Sequence, residues 1–458
     1  MCLAADEPGG PRRCSSDARC TLERSTAAVC ILTDRSAELR RAVTGGAVNV
    51  PEPVADAVAV AAVAGTPFIV GGAVRDSLLG GNPHDFDVEV HGTDLGGLAR
   101  RFTAAGWEVD EVGRQFGVLK VRRPGEEAVD VAVPRRDNKI GAGHRGFSVD
   151  TGGAMSVAEA AARRDFTVNA IYFDPEAGMV VDPFGGVADL EARVLRHVSD
   201  AFGEDPLRVL RGVQFAGRFA MTVHPTTAAL CRGLRPHFGE LAAERVQLEW
   251  GKIYTSGHPE MAAAALCDTG WDDTLPGLKS ALSSPAVMAG LRRLPSAPAA
   301  DRVALGAALI THTMSVDDRR VFLAATVVGK DAAVAAQDLA GIDPSALSSS
   351  AARKQWAHQG AKRGFTFGRY LHYAQILDDP QAVEVARAGV ADGLGAGPEP
   401  AWVQGRDVMA AAAGRRAGPW VGQLVEQVLQ MQHRGEFSGR DEALTWLNDA
   451  VRAVSAKR

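Results

Sequence analysis

Short apolar runs bounded by turn residues recur through the first two hundred residues of this chain and then stop. Pro67–Val70, Asp87–Val90, Val118–Val121 and Val129–Val133 are four such runs, alternating with helical stretches. Strands interleaved with helices point to an α/β unit. After Glu204 the chain reads as helix after helix, with short Gly and Pro breaks and no strand pattern as far as Arg458. A chain of 458 residues is also too long for one core. The expected organisation is a disordered extension over 1–50, an α/β head (a small mixed β-sheet with helices) over 51–200 and a helical neck over 201–268. A helical body over 269–395 and a helical tail over 396–458 complete it.

Composition narrows the function classes. Net charge is −5, so the chain as a whole does not advertise nucleic-acid binding, and any RNA contact needs local basic stripes. Six cysteines, at 2, 14, 20, 30, 231 and 267, contain no Cys-x-x-Cys pair, which predicts free thiols and a cytoplasmic protein. Acidic Asp6 and Glu7 stand where a secretory leader needs basic residues. The longest uncharged run, Ala57–Val74, is long enough for a membrane helix but carries Gly65, Pro67, Gly71 and Gly72. It is expected to be a helix followed by a buried strand, with no membrane partner; no protein partner is implied either.

The chemistry is concentrated just beyond that run. Phe68-Ile-Val-Gly-Gly-Ala-Val-Arg-Asp76 predicts a strand entering a Gly71-Gly72 turn and then a helix. Glycines there let backbone N–H groups approach an anion, and Arg75, one turn into the helix, offers a fork for phosphate oxygens. Downstream, Pro83-His-Asp-Phe-Asp-Val-Glu-Val90 alternates acids with apolar residues. On a strand, Asp85 and Asp87 then share one face, with Phe86 and Val88 turned to the core. Adjacent carboxylates repel unless a cation lies between them, and Mg²⁺ takes one or two carboxylates plus phosphate oxygens. Asp85 and Asp87 are the expected metal ligands and catalytic acids. The alternative, a solvated Asp-x-Asp at a strand edge, does not account for the phosphate turn upstream. Asp130, on the later alternating strand Ala128–Val133, is a candidate third acid, and alternation alone equally makes it an ordinary outward-facing residue.

Five blocks in order carry a resemblance. They are Val70–Asp76 with Asp85-Phe-Asp87; Arg163-Arg-Asp-Phe-Thr-Val-Asn-Ala170; Asp182-Pro-Phe-Gly-Gly-Val-Ala-Asp-Leu190; Glu204-Asp-Pro-Leu-Arg-Val-Leu-Arg211; and Glu244-Arg-Val-Gln-Leu-Glu249. Together they resemble the class II tRNA nucleotidyltransferase (CCA-adding) and bacterial poly(A) polymerase family, from about residue 66 to 255. The resemblance resumes more faintly at Gln404–Val408 and Gly418–Gly422. It implies a nucleotidyltransferase head, with an all-α neck, body and tail. The implied reaction is attack of a tRNA 3′ hydroxyl on the α-phosphate of CTP or ATP, with Mg²⁺ as cofactor, pyrophosphate as product and the tRNA acceptor end as partner. Gly72 and Arg75 match the family's phosphate contacts, Arg164 a nucleotide-binding arginine, and Asp165 the acid that reads the ribose hydroxyl. Where the family often carries a further arginine, this chain has Gln214.

The fourth block can be argued from chemistry. Asp205 is expected to cap a helix that has Pro206 at its first position. Asp205, Arg208 and Arg211 then lie near one face, opposite Leu207, Leu210 and Val213. Asp only accepts and Arg only donates, an order that suits the Watson–Crick edges of C and A and leaves G and U unpaired. For the RNA, Arg353, Lys354, Lys362 and Arg363, interleaved with Trp356, Phe365, Phe367 and Tyr370, form a candidate basic patch; a solvated helix face over core aromatics explains them equally. CCA addition is the leading expectation. The rivals are a poly(A) polymerase, a specialised C- or A-adding relative and a non-catalytic RNA-binding relative. Gly113–Val118 lacks the denser Arg-Phe-Arg run of the polymerase branch.

Overall fold

A computed structural model describes residues 48–111, 117–134, 136–139, 147–150, 155–361, 363–412 and 415–456. The expectations for residues 1–47, including four of the six cysteines, and for most of Gly113–Val118 lie outside them.

Strand β1 (Thr66–Val70) follows helix α1 (Glu52–Ala61) and leads into α2 (Gly72–Leu78), β2 (Asp87–His91) and α3 (Leu95–Ala104). Then come β3 (Glu108–Asp110), β4 (Val118–Arg122), β5 (Val129–Ala132) and a separate hairpin of β6 (Arg136–Lys139) and β7 (Phe147–Asp150). After α4 (Val157–Ala161), β8 (Tyr172–Asp174) and β9 (Met179–Val181) complete a seven-stranded sheet in the order β3-β4-β5-β2-β1-β8-β9. The sheet is mixed: β2 pairs with β5 in parallel, while its other pairings are antiparallel. Parallel register sets Asp87 directly beside Asp130. Val88, Val90 and Val131 are fully buried between them and the layer of α1 and α3, which is why the acids alternate to the other face.

Helix α5 (Gly186–Glu191) and a short β10 (Val194–Leu195) lead to α6 (Leu207–Phe219). This helix buries Leu207, Leu210, Val213 and Phe215 and ends at Ala220, whose φ of 52° turns the chain back. The turn sets β11 (Thr222–Val223) parallel to β10, a two-residue strand beyond Glu204 where the sequence pattern gave none. Phe166 is 1% exposed and meets Phe202 and Phe215 edge-on at 5.4 and 5.9 Å, a burial that stabilises by about 2 kcal/mol. A Cβ on Gly212 would sit 2.7 Å from the Phe166 ring, so only glycine lets α6 dock this closely on the head.

Helices α7 (Pro225–Leu234), α8 (Ala243–Thr255) and α9 (Pro259–Thr269) continue the neck. Beyond them every regular element is a helix, the last being Arg440–Ala456. One apolar core runs unbroken from Val48 to Leu394, whereas Val403–Val451 pack around a core of their own. Among the described residues no helix is long and apolar enough to cross a membrane.

Candidate functional site

The α/β unit faces α6 and α8 across an open cleft of about 1690 Å³. Gly71, Gly72, Arg75, Asp85, Asp87, Arg164, Asp165, Asp205, Arg208 and Arg211 all line it. The structure thus gathers residues from 140 positions of sequence into one cavity. Asp130, the remaining expected acid, borders Asp87 through the sheet.

At the floor, Gly71 has φ 72°, a conformation that strains any L side chain. A Cβ there would also come within 3.0 Å of an Arg164 guanidinium nitrogen. Asp85 and Asp87 are both exposed to the cleft, with Phe86 and Val88 buried between and beside them as the alternation predicts. Withdrawal from bulk water and the neighbouring Asp85 charge push the Asp87 carboxyl up to about 6. Asp130 contributes to that push but is itself ion-paired to Lys120 Nζ at 2.8 Å. Two crowded carboxylates with no cation between them are the donor set a hard divalent ion relieves. Among the described residues no three His, Cys, Asp or Glu side chains converge as metal donors.

Several expected ligand contacts turn out to be engaged within the protein. Arg75 is 4% exposed; its Nε donates to Asp76 at 2.8 Å and its guanidinium stacks on Phe219 at 4.5 Å. A second nitrogen donates to Asn169 Oδ1. The expected phosphate fork is thus a strut tying α2 to α6. Asp165, expected to read a ribose, is buried with both oxygens satisfied. One accepts from Phe166 N and Asn169 Nδ2, each at 2.8 Å, and the other holds Arg211 at 2.7–2.8 Å. Burial opposes its charge, yet Arg211 and these hydrogen bonds hold its carboxyl below the usual range. A ribose hydroxyl would have to displace one of them.

On α6, the N-cap is Pro206 and not the expected Asp205, so the helix starts one residue later than predicted; Asp205 stands just before it, its Oδ1 accepting from Leu207 N at 3.1 Å. Its Oδ2 accepts from Arg245 at 2.9 Å, and Arg208 instead donates to the Ala201 and Arg163 carbonyls at 2.8 and 2.9 Å. The two base-reading candidates therefore face the same cavity without touching. Sequence reasoning missed Arg245, although it lies in the fifth block, as it missed Lys120, Asn169, Glu89 and the Phe215–Phe219 pair. The third block is structural. Asp182 caps α5 through Gly186 N and Val187 N, and Asp189 accepts from Thr167 Oγ1 at 2.7 Å and Arg196 at 3.0 Å. His84, incidental in the sequence, lines the cleft beside Asp85.

Much of the candidate RNA patch is engaged within the protein. Arg353 is 8% exposed, ion-paired to Asp392 at 2.7 Å and bonded to the Leu347 and Ser348 carbonyls. Lys354 pairs with Glu399 and Arg363 with Asp338, each at 3.0 Å. Phe365, Phe367 and Tyr370 are core. These cations are taken up by acids distant along the chain, which a single helix face cannot reveal. Lys362 lies outside the described residues.

Comparison with known proteins follows the same geography. Residues 67–196 match the family described as the poly A polymerase head domain, and residues 220–282 the one described as a probable RNA and SrmB-binding site of polymerase A. The multifunctional CCA protein of Xanthomonas campestris pv. campestris is 43% identical over 208 residues, 44% of this chain and 48% of that protein. That of Stenotrophomonas maltophilia is 44% identical over 207 residues, with the same coverage. The chain thus spans about half the length of the curated relatives it matches. The fold is that of the Bacillus stearothermophilus CCA-adding enzyme solved in complex with CTP, with a TM-score of 0.66 and 24% identity, covering 89% of this chain and 100% of the other. The Thermotoga maritima CCA-adding enzyme complexed with tRNA superposes with a TM-score of 0.55 at 16% identity, over 84% of this chain and 91% of the other.

Proposed function

We propose, from a head and neck that belong to the family of CCA-adding tRNA nucleotidyltransferases and bacterial poly(A) polymerases, that this chain adds C, C and A to tRNA 3′ ends. CTP and ATP are the donors, the tRNA acceptor end is the partner and pyrophosphate is released. The observation that carries this reading is the pair Asp85 and Asp87, crowded beside the Gly71 turn and facing Asp205 and Arg208 across one cleft.

Asp85 and Asp87 would hold Mg²⁺, which supplies charge neutralisation at the α-phosphate and a lower pKa for the attacking hydroxyl. The rest is done by the chain's own groups. Arg164, beside the Gly71 turn, meets the triphosphate as a fixed cation. Asp205 releases Arg245 and accepts the amino group of C or A, while Arg208 exchanges a carbonyl acceptor for the ring nitrogen. Each exchange replaces one hydrogen bond by another, whereas G or U would leave two buried polar groups unpaired. Arg75 and the Asp165–Arg211 pair keep the two walls at a constant separation. The division at residues 50, 200, 268 and 395 is our proposed domain scheme, and a cytoplasmic location suits these substrates.

A poly(A) polymerase is the second reading, favoured by the description of the matched head family. Incubation of the purified chain with Mg²⁺, CTP, ATP and a tRNA lacking its 3′ end tests both. Two C residues followed by one A are expected, and substitution Asp87→Ala should lower incorporation by at least about a thousandfold. Unlimited A addition would select the polymerase, and no incorporation would remove both readings.

A further inference from the structure

Beyond Asp87 on β2, Glu89 and His91 continue the same alternating face toward the protein interior. The Met155 carbonyl, which can only accept, lies 3.0 Å from His91 Nδ1, so that nitrogen carries hydrogen. Nε2 lies 2.9 Å from Glu89 Oε1. His91 is thus held through both ring nitrogens, by the Met155 carbonyl on one side and the Glu89 carboxylate on the other. The Tyr172 hydroxyl donates to the same Glu89 oxygen at 3.0 Å.

The other Glu89 oxygen faces Arg164, 3.5 Å from its guanidinium. Arg164 lies over the Tyr172 ring at 5.2 Å, and another of its nitrogens stands beside the Gly71 turn. Asp87 attracts the same guanidinium. Without Glu89, the carboxylate left to draw Arg164 would be Asp87, and a cation there would occupy the place of a metal.

We propose that Glu89 is a positioning residue: it holds Arg164 beside the phosphate turn and off Asp87, with His91 and Tyr172 fixing its carboxylate from behind. The inference rests on the nucleotidyltransferase reading. CTP affinity and Mn²⁺ affinity, each measured by titration on the full chain, test it in Glu89→Gln, Arg164→Gln and the double variant. Glu89→Gln should weaken CTP binding about tenfold, and the double variant should bind CTP no worse than Arg164→Gln alone. Mn²⁺ affinity in the absence of nucleotide should fall about fivefold in Glu89→Gln and recover in the double variant, because no arginine remains to close on Asp87. Steady-state kinetics should show the KM for CTP raised, with kcat within about threefold. Additive losses, or unchanged affinities with only a lower melting temperature, would reduce Glu89 to a structural residue. An unmodified chain that bound neither CTP nor Mn²⁺ would instead sink the nucleotidyltransferase reading.

Discussion

The head–neck cleft and the segment Ser350–Leu377 of the body are built from similar residues, arginines and lysines interleaved with aromatics, and use them in opposite ways. In the body, Arg353, Lys354 and Arg363 each find an acid on another part of the fold, while Phe365, Phe367 and Tyr370 fill the core. In the cleft, nine Arg and Lys side chains border one open cavity against five Asp. Several of them are paired in the cavity wall, Arg211 with buried Asp165 and Arg245 with Asp205, and the excess of cations over aspartates along the cavity focuses positive potential into it. A cationic, aromatic sequence is therefore no guide to ligand binding until the partners of each charge are known. The decisive feature is an open cavity that the charged groups border.

That contrast can be broken experimentally. The largest effect is expected in the body: Arg353→Ala removes a buried guanidinium that serves Asp392 and two carbonyls. It should lower unfolding stability in a denaturant titration by about 3 kcal/mol and leave the KM for CTP unchanged. A loss of tRNA affinity without loss of stability would restore the patch as an RNA site. In the cleft the reverse is expected. Arg208→Ala should relax selection of C and A over G and U by about a hundredfold in kcat/KM, with only a small shift in melting temperature. Undiminished selectivity would show that the α6 pair does not read the base.

The smallest effect sharpens the metal site. Because the folded chain holds a proton on Asp87 up to about pH 6, above the ordinary carboxylate value, it binds that proton more tightly than the unfolded chain. Without metal, the Asp87 contribution should therefore make the protein gain stability as pH falls from about 6 toward 4, and Asp87→Asn should abolish that component. Over the same window the apparent Mn²⁺ affinity should weaken, as proton and metal compete. A pH-independent affinity across it would contradict the crowded-carboxylate account.

Much of the fold was legible in the sequence where the signal is local. The strand–turn–helix around Gly71 follows from an apolar run and a backbone angle only glycine adopts freely, while β2 begins at Asp87, so Asp85 lies just before the strand the alternation predicted for both acids. The long apolar face of α6 likewise declares itself in Leu207, Leu210 and Val213. The two-residue β11 did not, since its pairing with β10 depends on the Ala220 turn and carries too few residues for a pattern. The site was legible as a set of residues but not as a set of contacts. Asp205 accepts from the first turn of its helix, one residue ahead of the N-cap, yet its other oxygen goes to Arg245, forty positions away. The resemblance makes Asp165 a ligand contact, and its ion pair with Arg211, on a different element, leaves no local signal in the sequence.

Sequence alone determined where the acids, the glycine turn and the amphipathic helices lie, because each depends on torsions and periodicities spanning only a few residues. Tertiary structure decided which charges are consumed and which remain for a ligand. It set Asp130 against Lys120, Asp205 against Arg245 and Arg353 against Asp392. The physical reason is that an ion pair needs its partners within about 4 Å, and only the packing of distant elements brings them that close.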